Sequence, residues 1–123
     1  MYRYLLTLCF FLLCLGIAGL ALASADAPKV HVLDIHGTIV PVIADYLDRG
    51  LDRAEKEGAA AVIIRLNTAG GMLSTTEDIV DRILEARVPV VVFVDRWAGS
   101  AGTFITMAAH IAAMAPASRI GAA

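Results

Sequence analysis

The sequence has no cysteine after residue 14, because Cys9 and Cys14 are the only two. The rest of the chain therefore has no disulfide and no cysteine-based metal site, and it is not a cysteine hydrolase. The sequence also lacks a basic stripe: after residue 23 there are twelve acidic and nine basic residues, interspersed, for a net charge of 9 − 12 = −3. This pattern does not indicate a nucleic-acid partner.

Charge is scarce near the end of the chain as well. Residues 102–123 contain one charged residue, Arg119. Such an apolar segment needs a covering layer, whereas the boundaries of domains are usually polar and flexible. We therefore expect residues 28–123 to be a partial domain, truncated at the C-terminus.

The first residues have the pattern of a secretory signal peptide. Arg3 supplies a basic start, residues 5–22 are apolar, and Ala21-Leu22-Ala23 is a small-x-small cleavage site. We predict a signal peptide over residues 1–23, with a second cleavage site after residue 25. The alternative is an uncleaved anchor, because 18 apolar residues are just enough to span a bilayer. Either way, the chain is expected to be exported, to the periplasm or the extracytoplasmic face of the membrane.

Strand and helix patterns alternate over the remaining residues. Strands are predicted over residues 29–35, 61–66, 90–94 and 113–115, and helices over 41–57, from residue 74 onward, and over 101–112. The nearly continuous apolar run 61–66 is typical of a parallel strand that is covered on both faces. We therefore predict an α/β fold with a parallel sheet and right-handed crossover helices.

The middle helix carries a capping-box signature. Ser74 is followed three residues later by Glu77, which predicts that the helix begins with Ser74 as its N-cap. Its inner face is expected to consist of four apolar side chains, namely Ile79, Val80, Ile83 and Leu84.

Two glycine-rich motifs follow two of the predicted strands. Gly99-Ser100-Ala101-Gly102 opens the last helix, and Thr68-Ala69-Gly70-Gly71 follows the second strand. Ligands bind beyond the carboxyl ends of the strands in such sheets, so both motifs lie where a site is expected. Each is weak alone, since Gly-Gly after a strand is usually a turn and a serine before a helix is usually an N-cap.

Taken together, the motifs indicate a nucleophile beside an oxyanion-binding loop. The helix N-terminus at Ser100 would stabilise a developing negative charge. We predict Ser100 as the catalytic nucleophile and the backbone N–H groups of Gly71 and Ala101 as the oxyanion hole. The predicted substrate-binding residues are Gly70, Met72 and Gly99.

A general base for this serine is not evident. His110 is predicted on the same helix as Ser100, ~15 Å further along its axis. His31 and His36 fall on the first strand and the turn after it. The only lysines are Lys29, in the first strand, and Lys56, at the end of the first helix. None of these residues is predicted to reach the serine.

The motifs resemble those of NfeD-type membrane serine proteases. Residues 58–71 (Gly-Ala-Ala-Ala-Val-Ile-Ile-Arg-Leu-Asn-Thr-Ala-Gly-Gly) are similar to the Gly-Ala…Asp-Thr-Pro-Gly-Gly segment of that family. Further similar segments are 89–94 (Pro-Val-Val-Val-Phe-Val), 100–104 (Ser-Ala-Gly-Thr-Phe) and 114–123, which begins Met-Ala-Pro. These proteases have the ClpP/crotonase fold, as does signal peptide peptidase A.

The resemblance implies a ClpP/crotonase-like parallel sheet with crossover helices and an acyl-enzyme mechanism without metal or cofactor. By resemblance, Ser100 is the nucleophile, Gly71 and Ala101 form the oxyanion hole, and a lysine base lies beyond residue 123. The implied partners are apolar segments of a polypeptide substrate, a stomatin-like membrane protein among them, and further copies of the chain. Trp97-Ala98-Gly99 departs from the family's Ala-Ala, and Gly99 is expected to add backbone freedom beside the nucleophile.

Two other functions are compatible with the same motifs. One is a catalytically inactive ClpP-fold scaffold that holds a membrane partner. The other is a crotonase-like enzyme acting on acyl-CoA thioesters, which export argues against because CoA is cytosolic.

Overall fold

A computed structural model describes residues 1–4 and 27–123, so the predicted signal peptide falls largely outside the described residues. Five strands and three helices follow one another over residues 30–121. The strands are β1 (Val30–His36), β2 (Ala61–Thr68), β3 (Val90–Gly99), β4 (Ile111–Met114) and β5 (Arg119–Gly121). The helices are α1 (Pro41–Lys56), α2 (Leu73–Leu84) and α3 (Ala101–Ala108).

The strands form one parallel sheet, which confirms the predicted fold class. The order is β1-β2-β3-β4, and β5 pairs with the last residues of β3. All the pairings are parallel, and a helix follows each of the first three strands. Because parallel strands end at the same edge, the segments after β1, β2 and β3 meet there.

The hydrophobic core lies between the sheet and the three helices. Alternate residues of β2 and β3 are fully buried against the helices, as is Leu47 of α1. Leu33, for example, packs so closely on Gly50 of α1 that a Cβ on that glycine would lie 2.6 Å from its methyl groups. Pro41 starts α1, and Gly58, with φ +63°, ends it.

The opposite face of the sheet is not covered by the described residues, although coverage of both faces was predicted. Val32 of β1 is 52% exposed and Ile111 of β4 is 57% exposed, and both lie in one register row with Ile63 and Val91. Strand β2 is therefore an apolar parallel strand as predicted, but the described residues cover only the face that packs against the helices.

The capping box was wrong. Helix α2 begins at Leu73, its N-cap is Met72, and no side chain caps it. The Met72 carbonyl already accepts the N–H of Thr76, and its own N–H is bound to Ile39, so the helix starts before Ser74. Ile79 and Ile83 do line the buried face, but Leu84 is 64% exposed.

The last helix is also shorter than predicted. Helix α3 ends at Ala108 rather than at residue 112, because the N–H of His110 binds the Val90 carbonyl and the chain continues as β4 beside β3. A pairing with a distant strand thus outweighs the local helical pattern of an alanine-rich segment. Strand β5, which sequence analysis did not predict, follows a turn at residues 115–118.

Candidate active site

Ser100 lies at the sharp turn between the last residue of β3 and the first of α3. Its backbone has φ 44° and ψ −110°, a conformation that is strained for any residue other than glycine. Its side chain makes no capping hydrogen bond, which removes the N-cap interpretation. A serine on a strained strand-to-helix turn, with its hydroxyl free, is the arrangement of a nucleophile elbow.

Gly70 packs directly against this serine. A Cβ on Gly70 would lie 2.9 Å from the Cβ and 3.4 Å from the Oγ of Ser100, and Gly70 also has φ +131°. Thr68 holds the turn, since its Oγ1 accepts the N–H of Gly70 at 3.0 Å. The structure therefore brings the two motifs together, as their positions at strand ends predicted.

The N–H of Gly71 points towards the side of the sheet on which Ser100 lies. Gly71 forms a parallel bridge with Ile39: the N–H of Ile39 binds Gly70 O at 3.0 Å, and the N–H of Met72 binds Ile39 O at 2.9 Å. In a parallel bridge the middle residue directs its own N–H and C=O away from its partner. Ile39 occupies the β1 side, so the N–H of Gly71 faces the β3 side, and it has no partner within residues 27–123.

A second free N–H comes from the start of α3. Ala101 is the first helical residue, where backbone N–H groups have no intrahelical acceptor. Gly102 lets this helix end approach the sheet, since a Cβ there would lie 2.7 Å from the Cγ2 of Thr68. Ser100, Gly71 and Ala101 thus lie at one edge of the sheet, where the hydroxyl and the two N–H groups have no partner among the described residues.

Sequence analysis missed the support that β5 gives to this turn. The carbonyl of Gly121 accepts the N–H of Ser100 at 2.9 Å and lies 3.0 Å from the Oγ1 of Thr103. Gly121 is the register partner of Gly99. No sequence signal was available for a strand of three residues that exists only because β3 offers it a free edge.

Gly99 was expected to add backbone freedom, and the structure shows a different use for this glycine. Its φ is not positive. The glycine instead makes room for the indole of Trp97, because a Cβ would lie 2.6 Å from Cε2 of that ring. Of the other predicted substrate-binding residues, Gly70 touches Ser100, and Met72 follows Gly71 with its side chain half exposed.

No described residue donates to or accepts from the Ser100 hydroxyl. His110 binds the N–H of Val90 through Nδ1 at 3.1 Å, at the start of β3, whereas Ser100 follows the end of that ten-residue strand. The eight residues of α3, a rise of about 12 Å along the helix axis, separate His110 from Ser100. His31 is bound to Glu57, and His36 lies two strands away on β1.

Two further observations concern the described residues as a whole. Over residues 1–4 and 27–123, no three His, Cys, Asp or Glu side chains are grouped so as to hold a metal ion. Within the same residues, no helix is both long and apolar enough to cross a membrane.

Residues 29–123 match the family described as NfeD1b, N-terminal domain. The membrane-bound protease PH1510 of Pyrococcus horikoshii is 41% identical over 96 residues, which are 76% of this chain and 22% of that protein. The membrane protein NfeD1b of Bacillus subtilis is 34% identical over 110 residues, 89% of this chain and 25% of that one. The chain thus spans about a quarter of the length of these curated relatives.

Solved structures show the same fold. The 1510-N membrane-bound stomatin-specific protease from Pyrococcus horikoshii, solved as a lysine-to-alanine variant in complex with a substrate peptide, matches with a TM-score of 0.75 and 38% identity. The match covers 78% of this chain and 45% of that one. ClpP1 from Listeria monocytogenes matches with a TM-score of 0.61 and 28% identity, over 63% of this chain and 46% of that one. The fold is therefore that of the ClpP-like proteases, of which this chain covers about half.

Proposed function

This chain belongs to the family of NfeD1b N-terminal domains, and from that premise we propose that it carries the nucleophile of a membrane-associated serine endopeptidase. The observation that supports this most directly is the strained turn at Ser100, with Gly70 packed against it and two free N–H groups beside it. The names of its relatives agree, since they are membrane proteins and one is a membrane-bound protease.

The proposed chemistry is acyl transfer. Ser100 Oγ attacks the carbonyl carbon of the scissile peptide bond while a general base takes its proton. As the negative charge develops, the oxyanion accepts hydrogen bonds from the N–H groups of Gly71 and Ala101. The base then protonates the leaving amine, and a water molecule hydrolyses the resulting ester on Ser100.

We propose a lysine as the base, contributed by a part of the fold outside residues 29–123. No lysine or histidine of the described residues contacts the Ser100 hydroxyl. A lysine-to-alanine variant of the related protease was solved with a substrate peptide, which is what removal of a general base would permit. Under this proposal the catalytic groups are a Ser-Lys dyad, of which Ser100 lies among the described residues and the lysine does not.

Apolar substrate segments are supported by the surface around the turn. Met72, Leu73 and Phe104 are 49%, 69% and 47% exposed, close in sequence to Gly71 or Ser100. A groove of about 460 Å³ runs between α2 and α3 and is lined by Leu73, Thr76, Glu77, Val80, Asp81 and Phe104. We propose that this groove receives apolar side chains of a polypeptide, such as a stomatin-like membrane protein, the substrate class named for the related protease.

The proposed setting is the outer side of the cell membrane. Residues 1–23 would act as the signal peptide and residues 28–123 would form the first part of the protease domain. We also propose that the protein works as a homo-oligomer, which the family resemblance implies.

The test is hydrolysis of apolar peptides by the full-length gene product. Ser100→Ala should lower kcat by about 10⁶-fold, because it removes the attacking oxygen. Ser74→Ala, which alters an exposed serine in the first turn of α2, is the matched control and should cleave normally. Residual activity of Ser100→Ala close to wild type would overturn the assignment, and a wild-type protein that binds but never cleaves apolar peptides would favour the scaffold function.

A further inference from the structure

Trp97 occupies an unusual place three residues before the candidate nucleophile. Its indole lies flat against Gly99, where a Cβ would be 2.6 Å from Cε2, 2.8 Å from Cζ2 and 2.9 Å from Nε1. The guanidinium of Arg119 also lies over the ring, with Cζ 4.8 Å from the centroid. The ring therefore contacts both its own strand, β3, and the neighbouring strand, β5.

Strand β5 is short and pairs only with the end of β3 among the described residues. It has three residues, and among the described residues its ladder is with β3 alone, pairing Trp97 with Arg119, Ala98 with Ile120 and Gly99 with Gly121. Such a short edge ladder is weak without side-chain contacts. The stack of Trp97 and Arg119 is a cross-strand cation–π pair at the first step of that ladder.

The same strand fixes the backbone of Ser100. Gly121, two residues after Arg119, accepts the N–H of Ser100 at 2.9 Å, and the Oγ1 of Thr103 lies 3.0 Å from the same carbonyl. Because Ser100 has a strained φ of 44°, the surrounding contacts must hold it there. The described contacts that connect the indole to the serine all run through Gly99 and β5.

We propose that Trp97, through its contacts with Gly99 and Arg119, is a positioning residue that holds β5 against β3 and thereby fixes the turn of Ser100. Gly99 is glycine here because a larger residue would expel the ring. The proposal explains why the tryptophan and the glycine occur together. We call the contacts of Trp97 with Gly99 and Arg119 the clamp. The proposal rests on the proposed function only for its effect on catalysis, because these contacts exist whatever reaction the site performs.

The test is a double-mutant cycle in the full-length gene product, with Gly99→Ala, Trp97→Ala and the double variant. A displacement of about 1 Å at a reacting group can cost ~10²-fold in rate. Each single variant should therefore lower kcat by about 10- to 100-fold, with KM nearly unchanged because no substrate contact is removed. The double variant should be no worse than Trp97→Ala, because the alanine at position 99 has no ring to displace. Trp97→Phe should restore most of kcat.

A second measurement does not depend on activity. Hydrogen exchange followed by mass spectrometry reports the protection of the Ser100 N–H, which Gly121 O accepts in the wild type. Gly99→Ala and Trp97→Ala should each lose protection in the peptide containing Ser100, and the double variant should lose no more. Arg119→Gln should show a smaller loss, because the indole still packs on Gly99.

The outcomes separate the two proposals. Coupled losses of protection in a protein without peptidase activity would support the clamp and contradict the protease. Additive losses, or unchanged protection and kcat in both single variants of an active enzyme, would overturn the clamp.

Discussion

Polar groups are paired with one another in the charged cluster between α1 and α2, whereas at the turn of Ser100 they are left without partners among the described residues. In the cluster, the Glu55 carboxylate is 6% exposed and accepts hydrogen bonds from Arg82 at 3.3 Å and from the backbone and side chain of Arg87 at 3.0 Å. Arg82 also binds Asp48 and Asp52. At the turn, the backbone is strained and two N–H groups are free.

The difference shows where this chain stabilises its fold and where it keeps binding capacity. Buried ionic groups that lose a partner destabilise a protein strongly, so the cluster fixes the relative position of α1, α2 and the start of β3. A free N–H and a strained residue cost stability and persist where they serve a function. Changes in the cluster should therefore alter stability without altering catalysis, whereas changes at the turn should alter catalysis much more than stability.

The largest effect outside the serine itself is expected at Gly71. A Cβ there would lie 2.1 Å from Ile39 O and 2.5 Å from Ile39 N, so Gly71→Ala must push the loop away from its bridge. Displacing the oxyanion donor should reduce kcat by about 10²–10³-fold. Steady-state hydrolysis measures it, with Gly58→Ala as a matched control at the remote end of α1. Wild-type kcat in a folded Gly71→Ala variant would show that this N–H is not used.

The next effect concerns the cluster. Glu55→Ala removes the buried carboxylate that joins Arg82 to Arg87, while Arg82 keeps Asp48 and Asp52. The loss of these charge-assisted hydrogen bonds should lower the free energy of unfolding by about 2 kcal/mol. Urea unfolding of the full-length protein checks this value, and kcat measured on the folded protein should be unchanged. Asp78→Ala, at an exposed carboxylate of α2 without a described ion pair, is the control. A folded Glu55→Ala protein with a clearly reduced kcat would contradict the proposal that the cluster serves stability and the turn serves catalysis.

The cluster should also give stability a dependence on pH. Burial alone would raise the pKa of Glu55, but hydrogen bonds from the backbone and side chain of Arg87 and from Arg82 outweigh it and hold the pKa below its ordinary value of 4.5. A carboxylate with a lowered pKa contributes stability above the unfolded pKa, and that stability is lost as the pH falls through the folded pKa. Unfolding free energies measured below pH 4.5 should fall less steeply in Glu55→Gln than in wild type. Equal slopes would contradict this role.

The smallest effect is a gain in stability at the nucleophile. Strain of the kind seen at Ser100 costs about 1–3 kcal/mol, and glycine relieves it at an entropic cost of about 0.4–1 kcal/mol. Ser100→Gly should thus be about 1 kcal/mol more stable than Ser100→Ala, which keeps the strain. Thermal unfolding of the two inactive variants compares them directly. Equal stability would mean that the turn at Ser100 stores no strain.

The two regions also differ in how far the sequence revealed them. Ser100 and Gly71 were recognisable because each lies within a few residues of a strand end, and parallel strands bring such ends together. The Glu55 cluster joins residues 27 and 32 positions apart, and no local pattern specifies that pairing. The same reason explains why β5 and the early end of α3 were not predicted: both depend on the free edge of β3, which only the assembled sheet provides.

The most direct test of the central claim is covalent capture of Ser100. The full-length gene product is treated with a fluorophosphonate probe, and the modified residue is located by mass spectrometry of the digested protein. We expect a single adduct on Ser100, formed much faster than on an exposed serine such as Ser74, and lost in Ser100→Ala together with peptide hydrolysis. Peptide hydrolysis that persists without any adduct on Ser100, or an adduct formed equally well on Ser74, would contradict the account.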